Sequence, residues 1–174
     1  MKFNYRHTHG VILIAALILL LVITLVGISS MQSVTLAEKI TSNMREASVA
    51  FQATENALSD GERWIAAQAS APVAVDTCNT PPCDVWQNGV LTNIPHQPSS
   101  WWQSNGRSYS STLQNIAVQP RYIIEEFGFV PTELSPESRA KGKGYHYYRV
   151  IASGTGENPN AKAVIESIYA IQFN

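Results

Sequence analysis

The stretch "HTHGVILIAALILLLVITLVGISSM" (7–31) decides the fold, because it joins a polar stub, a single glycine and a long apolar run. From Val11 to Ile28, only Thr24 and Gly27 interrupt a run of valine, isoleucine, leucine and alanine. As an α-helix this run would rise about 27 Å, close to the hydrocarbon thickness of a bilayer. The stretch therefore predicts a membrane-spanning helix near the start of the chain.

The remainder of the chain is polar enough to form one globular domain. The chain has 174 residues, of which 45% are hydrophobic and 14% charged, with a formal net charge of −1. This length allows one soluble domain plus an accessory segment. No basic stripe with interleaved aromatic residues is present, so the composition argues against a nucleic-acid partner.

The charges that flank the apolar run predict its orientation. Lys2 and Arg6 precede the run, no acid precedes it, and Glu38 is the first acid after it. Basic flanks stay on the cytoplasmic side of a membrane. We therefore expect a single membrane pass, with a cytoplasmic N-terminus and an exported globular domain.

Three interpretations of the apolar run are open. A cleaved signal peptide has a shorter apolar core, although Gly27-Ile28-Ser29 could serve as its cleavage site. A plain anchor has the right length but gives no role to Gly10. A short basic leader that ends in glycine, followed at once by about 20 apolar residues, is the layout of a type IV prepilin. That interpretation predicts cleavage between Gly10 and Val11.

The helical pattern continues beyond the apolar run. No proline occurs between Val11 and Ala71, and a helix from about residue 11 to about residue 68 would be about 85 Å long. Apolar residues at steps of three, four or seven predict one stripe that packs on a domain core or on a second helix as a coiled coil; the weak e and g charge pattern favours the core face. The stripe comprises Val34, Ala37, Ile40, Met44, Ala47, Phe51, Leu58 and Ile65.

At three places the sequence resembles the PilX family of type IV pilus minor pilins. These are "GVILIAALILLLVITLVGISSM", "TLAEKITSNMREASVAFQATENALSDGE" and "YYRVIASGTGENPNAKAVIESIYAIQF". The resemblance covers about the first 60 and the last 30 residues, and implies an α+β fold of lollipop shape. A long bent N-terminal helix, with a membrane half and an amphipathic half, would pack on a C-terminal antiparallel sheet. It also implies cleavage after Gly10 by the prepilin peptidase and methylation of the new N-terminus at Val11.

The expected organisation has four parts. They are a prepilin leader (1–10), the transmembrane or filament-core half of the helix (11–30), its amphipathic half (31–70) and a periplasmic globular domain (71–174).

One position departs from the usual pilin pattern. Most pilins carry a glutamate at the fifth residue of the mature chain, where this sequence has Ala15. A carboxylate at that position can neutralise the N-terminal ammonium of a neighbouring subunit in the apolar filament core. Either the chain never polymerises, or it occupies a place where no ammonium needs neutralising, such as the filament tip.

The sequence of the globular region predicts three strands and one loop closed by a disulfide. The segments 121–130, 145–154 and 161–173 have strand patterns, and in the last one Ala163, Ile165, Tyr169, Ile171 and Phe173 share a face. Cys78 and Cys83 are the two cysteines of an exported chain, which favours a disulfide. A metal site that combines both cysteines with His96 and His146 is the alternative, but its spacing matches no known zinc arrangement.

The sequence shows no catalytic motif and no cofactor motif. Glu125 and Glu126 are adjacent on a predicted strand, so they face opposite ways, and we expect an exposed edge with a basic partner. Trp101 and Trp102 could contact a neighbouring subunit or a glycan, although core packing of at least one of them is favoured.

The prediction is a minor pilin that primes a type IV pilus and sits at its tip. Its expected partners are the major pilin, other minor pilins, the prepilin peptidase, the inner membrane and, as a further candidate, a tip adhesin. A type II secretion pseudopilin is the alternative of the same class. A membrane-anchored periplasmic binding domain with no filament role is the alternative of another class.

Overall fold

The computed structural model describes residues 9–135 and 142–173, apart from the side chains of residues 9 and 10. Residues 1–8 of the predicted leader, residues 136–141 and residue 174 lie outside the described part. The chain divides into two compact units, residues 1–43 and 44–174. In chain order the elements are α1 (His9–Ala66), β1 (Trp86–Gln87), a 3₁₀ turn (Ile94–His96), α2 (Ser99–Asn105), β2 (Arg107–Ser108), β3 (Arg121–Pro131), β4 (Gly144–Thr155) and β5 (Lys162–Ile171).

The first unit consists of the N-terminal part of α1. In the described part of the chain, this helix is the one that is long and apolar enough to cross a membrane, and its apolar stretch has no side chain buried by the rest of the protein. The hydroxyl of Thr24 donates to the Leu21 carbonyl at 2.8 Å, and that of Ser29 donates to the Leu25 carbonyl at 3.0 Å. Such bonds satisfy hydroxyl groups within the helix itself, which suits an apolar environment.

The second unit contains a five-stranded sheet with the order β1-β3-β4-β5, and β2 pairs beside β1 on β3. The strand β4 pairs antiparallel with both β3 and β5, and the bounds of these three strands confirm the predicted strands to within two residues at each end. The expectation of a wholly antiparallel sheet is wrong at one position, because β1 runs parallel to β3. A two-residue strand on the edge of β3 gives no recognisable alternation, so the sequence pattern could not reveal it.

The helix face that packs on the sheet coincides with the predicted stripe only in its last turns, where Thr54, the mildly polar break in that stripe, is also buried. Of the eight stripe residues, Ile65 is buried and Leu58 half-buried, whereas Met44 is 68% and Phe51 46% exposed. Val34, Ala37, Ile40 and Ala47 are also exposed. Small residues form the buried face instead; they are Ala50, Ala53, Thr54, Ala57 and Gly61.

The close approach of α1 to the sheet explains this choice of small residues. A Cβ atom on Gly154 of β4 would lie 2.7 Å from the Thr54 hydroxyl and 2.9 Å from the Thr54 backbone nitrogen. On the helix side, a Cβ atom on Gly61 would lie 2.7 Å from Val150. The gap therefore has no room for large side chains, and the large apolar residues of α1 point elsewhere.

The opposite face of the sheet has its own core. Trp86, Ile94 and Trp102 cover Ile123 and Ile151 of the two central strands. Trp102 is 3% exposed and Trp101 is half-buried against the same cluster, which confirms that this pair contributes to packing. The short helix α2 thus packs on this face of the sheet through Trp102.

Candidate functional site

The predicted processing site lies at the start of α1. The helix begins at His9, so the bond between Gly10 and Val11 falls in its first turn. Val11 is 69% exposed, and Ala15 is exposed as well. The side chains around Ala15 are aliphatic, and α1 carries no carboxylate before Glu38. The first turns of α1 are therefore apolar and carry no group that could neutralise an ammonium.

Large apolar side chains on the later turns of α1 are also free. Met44 and Phe51 stay exposed although the neighbouring turns pack on the sheet, and Val34 and Ile40 are exposed in the first unit. Exposed apolar side chains at this density on one helix are typical of a surface that another molecule covers. The sequence pattern predicted that these residues pack on the domain core, whereas the structure leaves them exposed.

The turn between β4 and β5 holds α1 at residue 46. The backbone N–H of Asn158 donates to the Glu46 carboxylate at 2.9 Å. Arg45 and Glu157 form an ion pair at 3.3 Å, but both side chains are well exposed, so the pair adds little stability. A Cβ atom on Gly156 would lie 2.8 Å from the Glu46 carbonyl oxygen, so this position requires glycine. The turn thus docks tightly on the helix.

A disulfide joins Cys78 and Cys83, with their Cα atoms 5.9 Å apart. The ring includes the cis peptide bond between Pro81 and Pro82, and both cysteines pack against the Trp86 cluster. The two thiols are therefore not available as metal ligands. No group of three or more potential metal-binding side chains occurs within residues 9–135 and 142–173.

Loss of this disulfide is expected to loosen the loop without unfolding the domain. A ring closed by residues five apart constrains few unfolded conformations, so Cys78→Ser should lower the free energy of unfolding by no more than about 2 kcal/mol. Chemical denaturation of the full chain in detergent, with and without reductant, measures this. Two reactive thiols in the protein, denatured without reductant, would contradict a native disulfide.

Glu125 has the basic partner expected for the acidic pair on β3, but it is buried and not at an exposed edge. Its side chain is fully buried, whereas Glu126 is half-buried. The predicted basic partner is Arg149 on β4, whose Nε donates to Glu125 Oε2 at 2.8 Å and whose Nη2 contacts the same oxygen. Burial raises the pKa of the Glu125 carboxyl, and Arg149 opposes that rise. The register that places Arg149 opposite Glu125 is long-range, so the sequence alone could not reveal this pair.

A polar groove of about 420 Å³ lies between the last turns of α1 and the strands β2 and β3. The guanidinium of Arg107 stacks 4.7 Å from the centre of the Trp64 ring and also contacts Asp84. Asp60 accepts hydrogen bonds from the backbone N–H (2.9 Å) and the hydroxyl (2.8 Å) of Ser110. These contacts fasten the loop around β2 to the helix, and the two arginines that line the groove each pair with a carboxylate, Arg63 with Asp60 and Arg107 with Asp84.

The fold and the exposed helix together define a type IV pilin-like protein. The first part of α1 is apolar and able to span a membrane. In the second unit, the small-residue face of α1 packs on three antiparallel strands. The comparisons with protein families agree with this class. Residues 9–58 match the family described as PilX N-terminal, and residues 47–171 match the family described as the type IV pilus assembly protein PilX C-terminal part.

The chain belongs to the PilX family of type IV pilus assembly proteins, because the second match alone covers more than half of it. The predicted resemblance is therefore confirmed, and it extends through the middle region that the sequence patterns did not identify. No curated protein and no solved structure shows significant similarity to the chain.

Proposed function

We propose that this protein is a minor pilin that primes assembly of a type IV pilus and occupies the tip of the filament. The family match carries the assignment to pilus assembly. The alanine at position 15 supports the narrower role at the tip. The proposed role is structural and needs no catalytic group and no cofactor.

The proposed maturation begins with the leader. The peptidase would cut after Gly10 and leave the apolar helix on the mature chain, with Val11 as its methylated N-terminus. The basic residues Lys2 and Arg6 support a cytoplasmic leader, because basic flanks resist transfer across the membrane. In this arrangement the second unit, from residue 44 onward, would be periplasmic.

The physical basis of the tip role is the charge at the mature N-terminus. An ammonium in an apolar filament core is costly unless a carboxylate pairs with it, and the uncompensated cost is several kcal/mol. In a shaft each subunit supplies that carboxylate to a neighbour. Ala15 cannot do so. A subunit of this kind is tolerated where no other ammonium must be accommodated against it, which is the case at the end of the filament.

The partners follow from the same geometry. The apolar side chains of α1, including Met44 and Phe51, would pack against helices of the major pilin and of other minor pilins. The globular domain would remain at the surface of the tip complex, where a tip adhesin is a further candidate partner. The inner membrane would hold the subunit before assembly.

Deletion of the protein is expected to reduce the number of pili per cell more than their length, because initiation fails rather than elongation. Immunogold labelling of sheared pili should place the protein at one end, at an abundance far below that of the major pilin. Labelling along the whole shaft at an abundance near that of the major pilin would exclude the tip role. The few pili of a strain that lacks this protein control for background label.

A further inference from the structure

The two edges of the sheet differ in whether another strand covers them. The β3 edge is covered, because β1 pairs with residues 125 and 126 and β2 with residues 121 and 122. The β5 edge has no partner strand within the described residues, although β5 is ten residues long. A long, regular, open edge invites pairing with another chain, and proteins normally protect such edges.

The common protective devices are absent from β5. The strand contains no proline and no glycine, and its ten pairs with β4 run without a bulge from Lys162 to Ile171. Lys162 is the one basic residue on the strand, and its ammonium donates to the Gln97 carbonyl at 2.6 Å instead of projecting from the edge. The edge is thus continuous, and its one lysine does not project from it.

The register shows which backbone groups point outward. The N–H of Gly156 donates to the Ala161 carbonyl at 2.8 Å, which makes this a hydrogen-bonded pair. Hydrogen-bonded and non-bonded pairs alternate along an antiparallel ladder. The N–H and C=O groups of every second β5 residue therefore face the open edge, and these residues are Val164, Glu166, Ile168 and Ala170.

The surroundings of the edge define the chemistry of an occupant. Glu62 of α1 accepts a hydrogen bond from Ser167 of β5 at 2.7 Å, so this side of α1 lies above the strand. Phe51 and Glu55 precede Glu62 by eleven and seven residues, which places them about 20° from it around the helix. Phe51 is 46% exposed on this side. An added strand would therefore meet an apolar side chain above it.

Three carboxylates lie near the open edge, whereas the nearby cations Lys162 and Arg149 are already bonded to Gln97 and Glu125. Glu55 and Glu166 are exposed and form no ion pair among the described residues, and Glu62 bonds only to a hydroxyl. Glu55 and Glu62 lie on the α1 side of the edge, whereas Glu166 lies on the outer face, where a basic side chain of an added strand would complement it and an acidic one would be repelled.

We propose that the β5 edge accepts an extended segment of another protein, in which apolar residues alternate with basic ones, as an additional strand of the sheet. Backbone hydrogen bonds to the four outward residues would supply the pairing. The apolar residues would lie under Phe51, and the basic residues would lie on the outer face beside Glu166. The proposal does not depend on the tip role, because it concerns only the second unit of the chain.

Amide hydrogen exchange on the full-length protein in detergent micelles tests this proposal. Without ligand, the amides of Val164, Glu166, Ile168 and Ala170 should exchange at least ten-fold faster than those of Ala163, Ile165, Ser167 and Tyr169, which face β4. An eight-residue peptide of alternating valine and lysine should remove most of that difference. The same peptide, N-methylated at the residues that face β5, should have no effect.

Two variants make the test specific. Glu166→Lys reverses the charge of an exposed side chain on the outer face and should weaken peptide binding at least five-fold. Gln172→Lys, placed on the same face beyond the end of β5, should leave binding unchanged. Thermal unfolding of both variants checks that the fold is intact.

Several outcomes would overturn the proposal. These are equal protection by the N-methylated peptide, protection at β1 and β2 instead of β5, and no protection at any peptide concentration. Protection that rises with protein concentration in the absence of peptide would show pairing between two copies of this chain, which also contradicts it. Pilus assembly is not a readout here, so failure of this test leaves the assembly role separately testable.

Discussion

Substitution of Gly10 by a bulky residue, as in Gly10→Leu, is expected to abolish processing and, with it, incorporation of the protein into pili. The residue before the cleaved bond must enter a narrow site in the peptidase, and a large side chain at this position would obstruct that entry. The uncut chain would retain the charged residues Lys2 and Arg6 ahead of the apolar helix. Burial of these charges in a filament core would cost several kcal/mol each.

Intact mass of the membrane-extracted protein measures this result directly. The wild-type chain should lack its first ten residues and begin at a methylated Val11, whereas Gly10→Leu should keep the whole leader. Gly27→Leu is the matched control, because it changes a glycine of the same helix that has no neighbour within 4 Å. A wild-type protein that still carries its first ten residues would exclude the prepilin interpretation.

Substitution of Gly154 by alanine is expected to lower the stability of the second unit strongly. The new Cβ atom would lie 2.9 Å from a backbone nitrogen of α1, so no side-chain rotation can relieve the contact and the helix itself must move. Overpacking against backbone costs about 3 kcal/mol. For a domain of this size, such a loss corresponds to a melting temperature lower by roughly 10 °C.

Gly128→Ala on β3 is the matched control for this variant. A Cβ atom at Gly128 would have no neighbour within 4 Å, so its melting temperature should stay close to that of the wild type. Thermal unfolding of the full chain in one detergent measures both variants. Equal stability of the two would contradict the close approach of α1 to β4.

The sequence predicted the elements of this fold better than their packing. The strands over 121–131, 144–155 and 162–171 follow local alternation, and the helix follows from an unbroken run without proline. The side of α1 that is buried could not be predicted in this way. Hydrophobic periodicity identifies large apolar residues, whereas the distance between helix and sheet decides which residues fit, and only the three-dimensional structure contains that distance.

The burial of Glu125 could not be predicted from the sequence either. A glutamate in a strand suggests an exposed position, because a buried carboxylate is costly. Its partner, Arg149, is 24 residues away in sequence and meets it only through the β3–β4 register. Processing at Gly10 is different in kind, since it depends on recognition by an enzyme, and it stays a prediction until the mature N-terminus is determined.

The docking of the β4–β5 turn on Glu46 has a mechanical consequence. A pulling force transmitted along α1 would enter the second unit at this contact, where Asn158 bonds to Glu46 and Gly156 lies against its backbone. The force would then act parallel to the helix–sheet interface, so that many contacts must slide together before any one of them separates. Resistance to force is governed by the rate of unfolding. We therefore expect Glu46→Ala to lower the force at which a single molecule unfolds, in optical-trap measurements, more than it lowers the equilibrium stability.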